Sequence, residues 1–253
     1  MTVLPSTTVS MASPKWLMPV LWLAAAGAII GATVGSVQIV DGWRWLHWFC
    51  KPLATALILA MVWRVRTPVS RAYRRRILVG IAFSLIGDVF LMLSPRWFVA
   101  GLLGFLIAHG WFVAAFVSDK PLLAKPLSWV LCLLYSVFAV WLLWPALVPP
   151  LQIAVPLYIA VLATMAGQAV GRARWLRARR DPHQQAAGFA AIGALVFMLS
   201  DSLLAWNRFM TPLPYSAVAV LGTYYVALWL IARSVDARSA STTRLTTMGE
   251  TER

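Results

Sequence analysis

Along most of this chain, apolar residues continue for about 20 positions at a stretch before short polar gaps interrupt them. A run of that length lets an α-helix, rising 1.5 Å per residue, cross the ~30 Å hydrocarbon core of a bilayer. The pattern predicts eight such helices, at residues 16–40, 43–63, 76–94, 97–117, 127–144, 151–169, 187–206 and 214–233. It therefore predicts an all-α integral membrane protein, an eight-transmembrane-helix bundle over 16–233. An N-terminal segment, 1–15, precedes it, and a tail, 234–253, rich in Ser and Thr with scattered charges, reads as disordered. Pro52 and Pro156 fall inside the predicted helices, where a membrane helix accommodates a kink if neighbouring groups satisfy the freed carbonyl.

Composition strengthens this picture: 61% of the residues are hydrophobic and only 12% charged, which excludes an ordinary soluble domain. The net charge of +14 raises the question of nucleic acid, but the basic residues cluster in the gaps between apolar runs. "RVRTPVSRAYRRR" (64–76), "SDKPLLAK" (118–125), "GRARWLRARRDPH" (171–183) and the tail after Arg233 carry most of them, and an alternating path puts all four on one side. The opposite gaps hold little beyond Arg44, Arg96 and Arg208. Positively charged connections stay in the cytoplasm, so both termini are expected there. The charge then reports orientation in the membrane, expected to be a bacterial inner (plasma) membrane, and not a nucleic-acid partner. The first apolar run, with Lys15 before it and "AAAGAIIGA" within it, also invites reading as a cleaved signal peptide, but it is longer than a usual signal core of ~7–15 residues. Cys50 and Cys132 lie inside apolar runs without metal-ligand or disulfide spacing and read as small hydrophobes.

Against this background a few polar residues stand out. An ionisable group near the bilayer centre costs ~3 kcal/mol on insertion scales, so its presence needs a reason. Lys51 lies early in the second helix, Asp88 late in the third ("FSLIGDVFLML"), His109 mid-way in the fourth, Asp201 late in the seventh ("FMLSDSLLAW"), and Tyr224 and Tyr225 mid-way in the eighth. Because successive helices alternate in direction, these positions fall at similar depth in the outer half, and all six can meet there. Bland readings stand beside the functional one: Asp88 pairing with Lys51 to hold two helices together, His109 as a helix-to-helix hydrogen bond, one of the adjacent tyrosines as packing, and Asn207 as a boundary residue. Two carboxyls of which only one has a cation within reach divide readily into an acid and a base. One Asp pair with one His is a poor zinc set, and neither metal nor cofactor is expected. The third and fourth helices and the seventh and eighth also echo each other: an acid, a short outer connection with one Arg, then a Gly-bearing helix. Such an echo fits a parallel repeat of four helices.

The segments "CKPLATALIL" (50–59), "SLIGDVFLML" (84–93), "GLLGFLIAHGWFVAAF" (101–116), "LSDSLLAWNRF" (199–209) and "GTYYVALWLIA" (222–232) resemble, in order and spacing, the YhhN family of membrane lysoplasmalogenases. The fifth and sixth helices carry no motif of the resemblance. It implies an eight-helix fold and hydrolysis of the vinyl ether bond of lysoplasmalogens, giving a fatty aldehyde and glycerophosphoethanolamine or glycerophosphocholine. A lysophospholipid substrate and surrounding membrane lipids are then the partners, with oligomeric state open. It carries the family's acids onto Asp88 and Asp201 as catalytic residues. Lys51, His109, Tyr224 and Tyr225 match family positions, and with Asn207 they are expected to bind or orient substrate. Where the family usually has a Gln three residues after the second Tyr, this chain has Leu228. Intramembrane Asp, His and Lys also build proton relays, so a proton-coupled carrier of lipids or small molecules is the alternative.

Overall fold

A computed structural model describes residues 16–35, 42–119, 122 and 125–237. Eight helices account for nearly all of them: α1 (Leu17–Val34), α2 (Gly42–Trp63), α3 (Arg71–Leu93), α4 (Phe98–Phe116), α5 (Pro126–Leu143), α6 (Leu151–Ala178), α7 (Gln184–Phe209) and α8 (Ser216–Arg233). Each is long and apolar enough to span a bilayer, and the chain is an integral membrane protein. Exposed tryptophans sit near helix ends, among them Trp16, Trp43, Trp45, Trp63, Trp97, Trp141 and Trp144, as expected of residues that prefer the membrane interfaces.

Six helices close a ring: α2 packs on α3, α3 on α4, α4 on α6, α6 on α7, α7 on α8, and α8 back on α2. Outside it, α1 lies against α2 and α8, while α5 lies chiefly against α6 and turns Leu131, Leu134, Val137, Phe138 and Trp141 outward. The neighbour pattern of the ring repeats after four helices, with α2 matching α6, α3 matching α7 and α4 matching α8, while the outer helices differ: α1 packs on α8 as well as α2, and α5 has no comparable contact with α4.

Helix pairs approach closely where side chains vanish, the usual way apolar helices gain contact in lipid. A Cβ on Gly104 would come within 2.9 Å of the Gly87 backbone, and one on Gly80 within 2.3 Å of the Phe112 ring, which fixes α3 against α4. Gly193 does the same for α7 and α8: its Cβ would stand 2.9 Å from the Ala227 carbonyl oxygen.

Several boundaries differ from the sequence reading. α3 begins at Arg71 and not Arg76, because the Ser70 side chain accepts a hydrogen bond from the Tyr73 N–H and caps the helix. The basic run that read as a loop is therefore its first turns, with Arg76 donating to the Ala114 carbonyl across the helix pair. α6 continues to Ala178 through the whole of "GRARWLRA", most of whose residues are good helix formers. There Arg172, fully buried, makes a forked pair with Asp119 and lies over the Tyr73 ring. α7 likewise extends to Phe209. Residues Ser234 and Val235, placed in the tail, are buried. Ser234 bonds to the Tyr73 hydroxyl, and residues 235 and 237 hydrogen-bond to the 67–69 segment. The segment 1–15, the end of the first predicted helix at 36–40, and the rest of the tail lie outside the described residues.

Candidate active site

Arg172, Gln168 and Ser234 are buried toward one end of the bundle; the polar groups singled out in the sequence lie in its middle and toward the other end, where α2, α6 and α8 begin and α3 and α7 finish. They gather as two clusters separated by aromatic rings.

The first cluster is centred on Asp88, 1% exposed at the end of α3. Its Oδ1 faces the Lys51 ammonium of α2 at 3.5 Å. Its Oδ2 accepts from the Thr55 hydroxyl at 2.7 Å and from the Tyr224 hydroxyl of α8 at 2.6 Å. Lys51 and Thr55 are four residues apart and so share a face of α2, which is how one helix aims both at a single carboxyl. An ammonium and two hydroxyls converging on one group are the partners a buried carboxylate requires. Tyr225, about 100° around the helix from Tyr224, reaches the Lys51 carbonyl oxygen at 3.4 Å and braces α8 against α2.

The second cluster is centred on Asp201 of α7, which is half-buried and accepts a hydrogen bond from the Tyr158 hydroxyl of α6. Among the described residues no cation pairs with it. The two acids are therefore differently equipped, one among a cation and two hydroxyl donors, the other beside a single phenol. His109 is buried behind this cluster, its ring packed against Phe197 at 4.8 Å and Tyr158 at 5.2 Å, with neither ring nitrogen hydrogen-bonded among the described residues. Phe197 and Phe105, in edge contact with each other and each with Tyr224, form the wall between the clusters.

Two cavities meet here. The wider, about 340 Å³, is lined by Lys51, Asp88, Asp201 and Tyr224 together with Arg44, Asn207 and Arg208. The narrower, about 140 Å³, runs between α4, α5, α6 and α7 and is lined almost entirely by apolar groups such as Leu102, Leu142, Ile159 and Met198, with Tyr158 and Asp201 at its polar end. Asp201 borders both, as do Leu91, Phe98, Phe105 and Leu204. An apolar slot and a more polar chamber thus open on the same carboxyl.

Of the residues singled out in the sequence, Lys51, Asp88, Asp201, Tyr224 and Asn207 line the wider cavity, while His109 and Tyr225 line neither. Asn207 is fixed by accepting a hydrogen bond from the Leu213 N–H at 2.9 Å, which leaves its NH₂ as its other polar group. Leu228 is buried in the core and borders neither cavity, so its departure from the family pattern lies away from the acids. Two contacts of the acids, Thr55 and Tyr158, are not singled out by the sequence. Thr55 could have been found from its i+4 relation to Lys51. For Tyr158, the only signal is a hydroxyl two residues after the proline of an apolar helix. Among the described residues no three His, Cys, Asp or Glu side chains come together as a metal ligand set.

Two acids of an eight-helix membrane bundle thus stand where an apolar cavity meets a more polar one. The chain belongs to the YhhN family, whose model matches residues 46–235. It is 36% identical over 160 residues to lysoplasmalogenase TMEM86A of Homo sapiens, a match covering 63% of this chain and 64% of that protein. It is 34% identical over 164 residues to lysoplasmalogenase TMEM86B of Sus scrofa, covering 65% of each, and 31% identical over 192 residues to human TMEM86B, covering 75% of this chain and 76% of that protein. No solved structure matches the chain.

Proposed function

We propose that this protein hydrolyses the vinyl ether bond of lysoplasmalogen-type lysophospholipids, with Asp201 as the acid and Asp88 as the base. The observation that carries this reading is the position of Asp201, bordering the apolar slot and the polar chamber at once, with Asp88 lining the same chamber. The alkenyl chain occupies the slot and the glycerol and headgroup occupy the chamber, so the ether bond falls beside Asp201. The names of the relatives support the substrate class.

The chemistry balances on the two carboxyls. Asp201 gives its proton to the outer alkene carbon, and the ether-bearing carbon becomes an oxocarbenium ion. Water adds to that carbon and loses a proton to the Asp88 carboxylate, forming a hemiacetal. Collapse reverses both transfers: the hemiacetal hydroxyl returns a proton to Asp201 as the aldehyde carbonyl forms, and Asp88 protonates the departing glycerol oxygen. Two carboxyls serving an oxocarbenium-like transition state are also the working parts of glycosidases. Proton transfer from positioned groups contributes ~10²–10⁴-fold in rate. Tyr158 holds the acid, and Lys51, Thr55 and Tyr224 hold the base.

The test uses purified protein in detergent with an alkenyl lysophospholipid and its ester counterpart, measuring aldehyde and fatty acid together. Aldehyde from the first and no fatty acid from the second is the expected result. Fatty acid release would make the protein an esterase. Absence of turnover, with uptake only in sealed vesicles, would make it a carrier.

A further inference from the structure

We infer that the apolar slot holds only the first carbons of the substrate chain, next to the head, and that the rest of the chain leaves past α5 into the bilayer. The protein then selects on the carbons beside the ether and is indifferent to the far end. The inference rests on the reading of the slot as the alkenyl site and adds which part of the chain is recognised.

Volume sets the first limit. A dry apolar cavity of about 150 Å³ takes benzene, so the slot, at about 140 Å³, has room for about six carbons. A lysolipid that anchors in a membrane carries a chain well over twice that long. The slot's polar end is at Tyr158 and Asp201, so the carbons that fit are those beside the head. The chamber offers no room for the surplus, since its lining carries Lys51, Asp88 and Arg208.

The walls decide where the surplus goes. α4 packs on α6 and α6 on α7, but α5 packs chiefly on α6, touches α7 lightly and has no comparable contact with α4. It is the wall held on one side only. Its slot-facing residues include Tyr135, Phe138, Ala139 and Leu142, which share a helix face. Tyr135 and Phe138 are 42% and 55% exposed, so the same side chains line the slot and meet lipid. Across this edge the Tyr135 hydroxyl donates to the Ser202 hydroxyl of α7 at 2.9 Å, in an exposed position. Ser202 in turn donates to the Met198 carbonyl and keeps that bond if Tyr135 swings away. Small residues on neighbouring membrane helices usually mark close contact. Here Ser136 and Ala139 of α5 and Ser202 and Ala205 of α7 all border the slot while the two helices stay apart, so their size leaves width for a chain. A straight chain can pass α5 between apolar side chains and lipid tails, whereas a branch beside the ether would overpack a bore also lined by Leu102 and Ile159.

Binding to the full chain in lipid nanodiscs tests this without any need for turnover. The probes are uncleavable hexadecyl lysophosphocholines at equal membrane loading: one unmodified, one with a pyrene at the far end of the chain, and one with two methyl branches on the third carbon from the ether. The pyrene probe should bind within about threefold of the unmodified one, and the branched probe at least tenfold more weakly. Ile159→Ala, which widens the slot, should recover most of the branched probe's loss, a gain that only folded protein can show. Ala205→Phe, which fills the slot, should weaken the unmodified and pyrene probes alike. Rejection of the pyrene probe would mean that the whole chain is enclosed and would overturn the exit past α5. Equal binding of the branched and unmodified probes, or no recovery in Ile159→Ala, would mean that the chain does not enter the slot and would overturn the inference. A wild type that shows the expected pattern yet releases no aldehyde from an alkenyl substrate would instead overturn the hydrolase reading and leave the chain site standing.

Discussion

At the scale of the residue, the two acids differ most in what surrounds them, and that difference makes distinct predictions. Asp88 and Lys51 form a buried pair, and removing one partner of such a pair costs about 3–5 kcal/mol because the other is left uncompensated, while replacing both with apolar groups of similar size costs far less. Lys51→Met should therefore lower the unfolding temperature strongly, and Lys51→Met with Asp88→Leu should recover most of the loss, though without activity; thermal unfolding in detergent followed by tryptophan fluorescence reads both. Among the described residues Asp201 has no cation to strand, so its contacts bear on chemistry more than on stability. Tyr158→Phe removes the hydroxyl that holds its Oδ2 and little else, since the ring stays against His109. Asp201 gains charge as it gives up its proton, and a hydrogen bond to a charged group is worth about 1.5–3 kcal/mol. The variant should lose about 10- to 100-fold in kcat, with KM nearly unchanged and its pH–rate profile shifted, whereas a purely structural tyrosine would leave that profile in place.

At the scale of the element, glycines on one helix separate close packing from open surface. Gly104 and Gly110 are both in α4, but a Cβ on the first would press within 2.9 Å of the Gly87 backbone, and one on the second would meet nothing within 4 Å. Gly104→Ala should force α3 and α4 apart and reduce thermal stability and activity together. Gly110→Ala should be neutral or stabilising by up to about 1 kcal/mol, since alanine restricts the unfolded chain and favours helix. The spans themselves were legible in the sequence, because a run of apolar residues long enough to cross lipid has few other solutions. Their ends on the arginine-rich side were not, because arginines can continue a helix while their heads reach water or a buried partner, as Arg172 does with Asp119. Within the site, Lys51, Asp88, Asp201 and Tyr224 were legible as polar groups that lipid should exclude. Thr55 and Tyr158 were not, since a hydroxyl in a membrane helix satisfies itself on its own backbone often enough to draw no notice, as Thr164 does on Ala160. The inward retreat of His109 behind Phe197 follows from the facing of α4, which the weak periodicity of a wholly apolar helix leaves open.

At the scale of the whole molecule, the four-helix repeat gives the site its form. Each acid sits on the third helix of its half, and each receives a hydroxyl from the proline-containing second helix of the same half, Thr55 for Asp88 and Tyr158 for Asp201. The halves have diverged around this frame: α2 also supplies an ammonium and α8 a phenol to Asp88, while α5 and α6 open the apolar slot beside Asp201. From the distribution of arginines over the two ends we propose that the acids lie toward the outer leaflet, with both termini inside. A cysteine introduced at Arg96 should therefore react with a membrane-impermeant thiol reagent on intact cells, and one at Arg180 only after lysis; the reverse pattern would invert the topology. The proposed hydrolysis turns most of all on Asp201 as the proton donor, and Asp201→Asn, which keeps the shape of the side chain and leaves no cation unpaired among the described residues, isolates it. Measured on folded, purified protein with unchanged thermal unfolding, aldehyde release from an alkenyl lysophospholipid should fall by ~100-fold or more. Release within a few-fold of wild type would contradict the account.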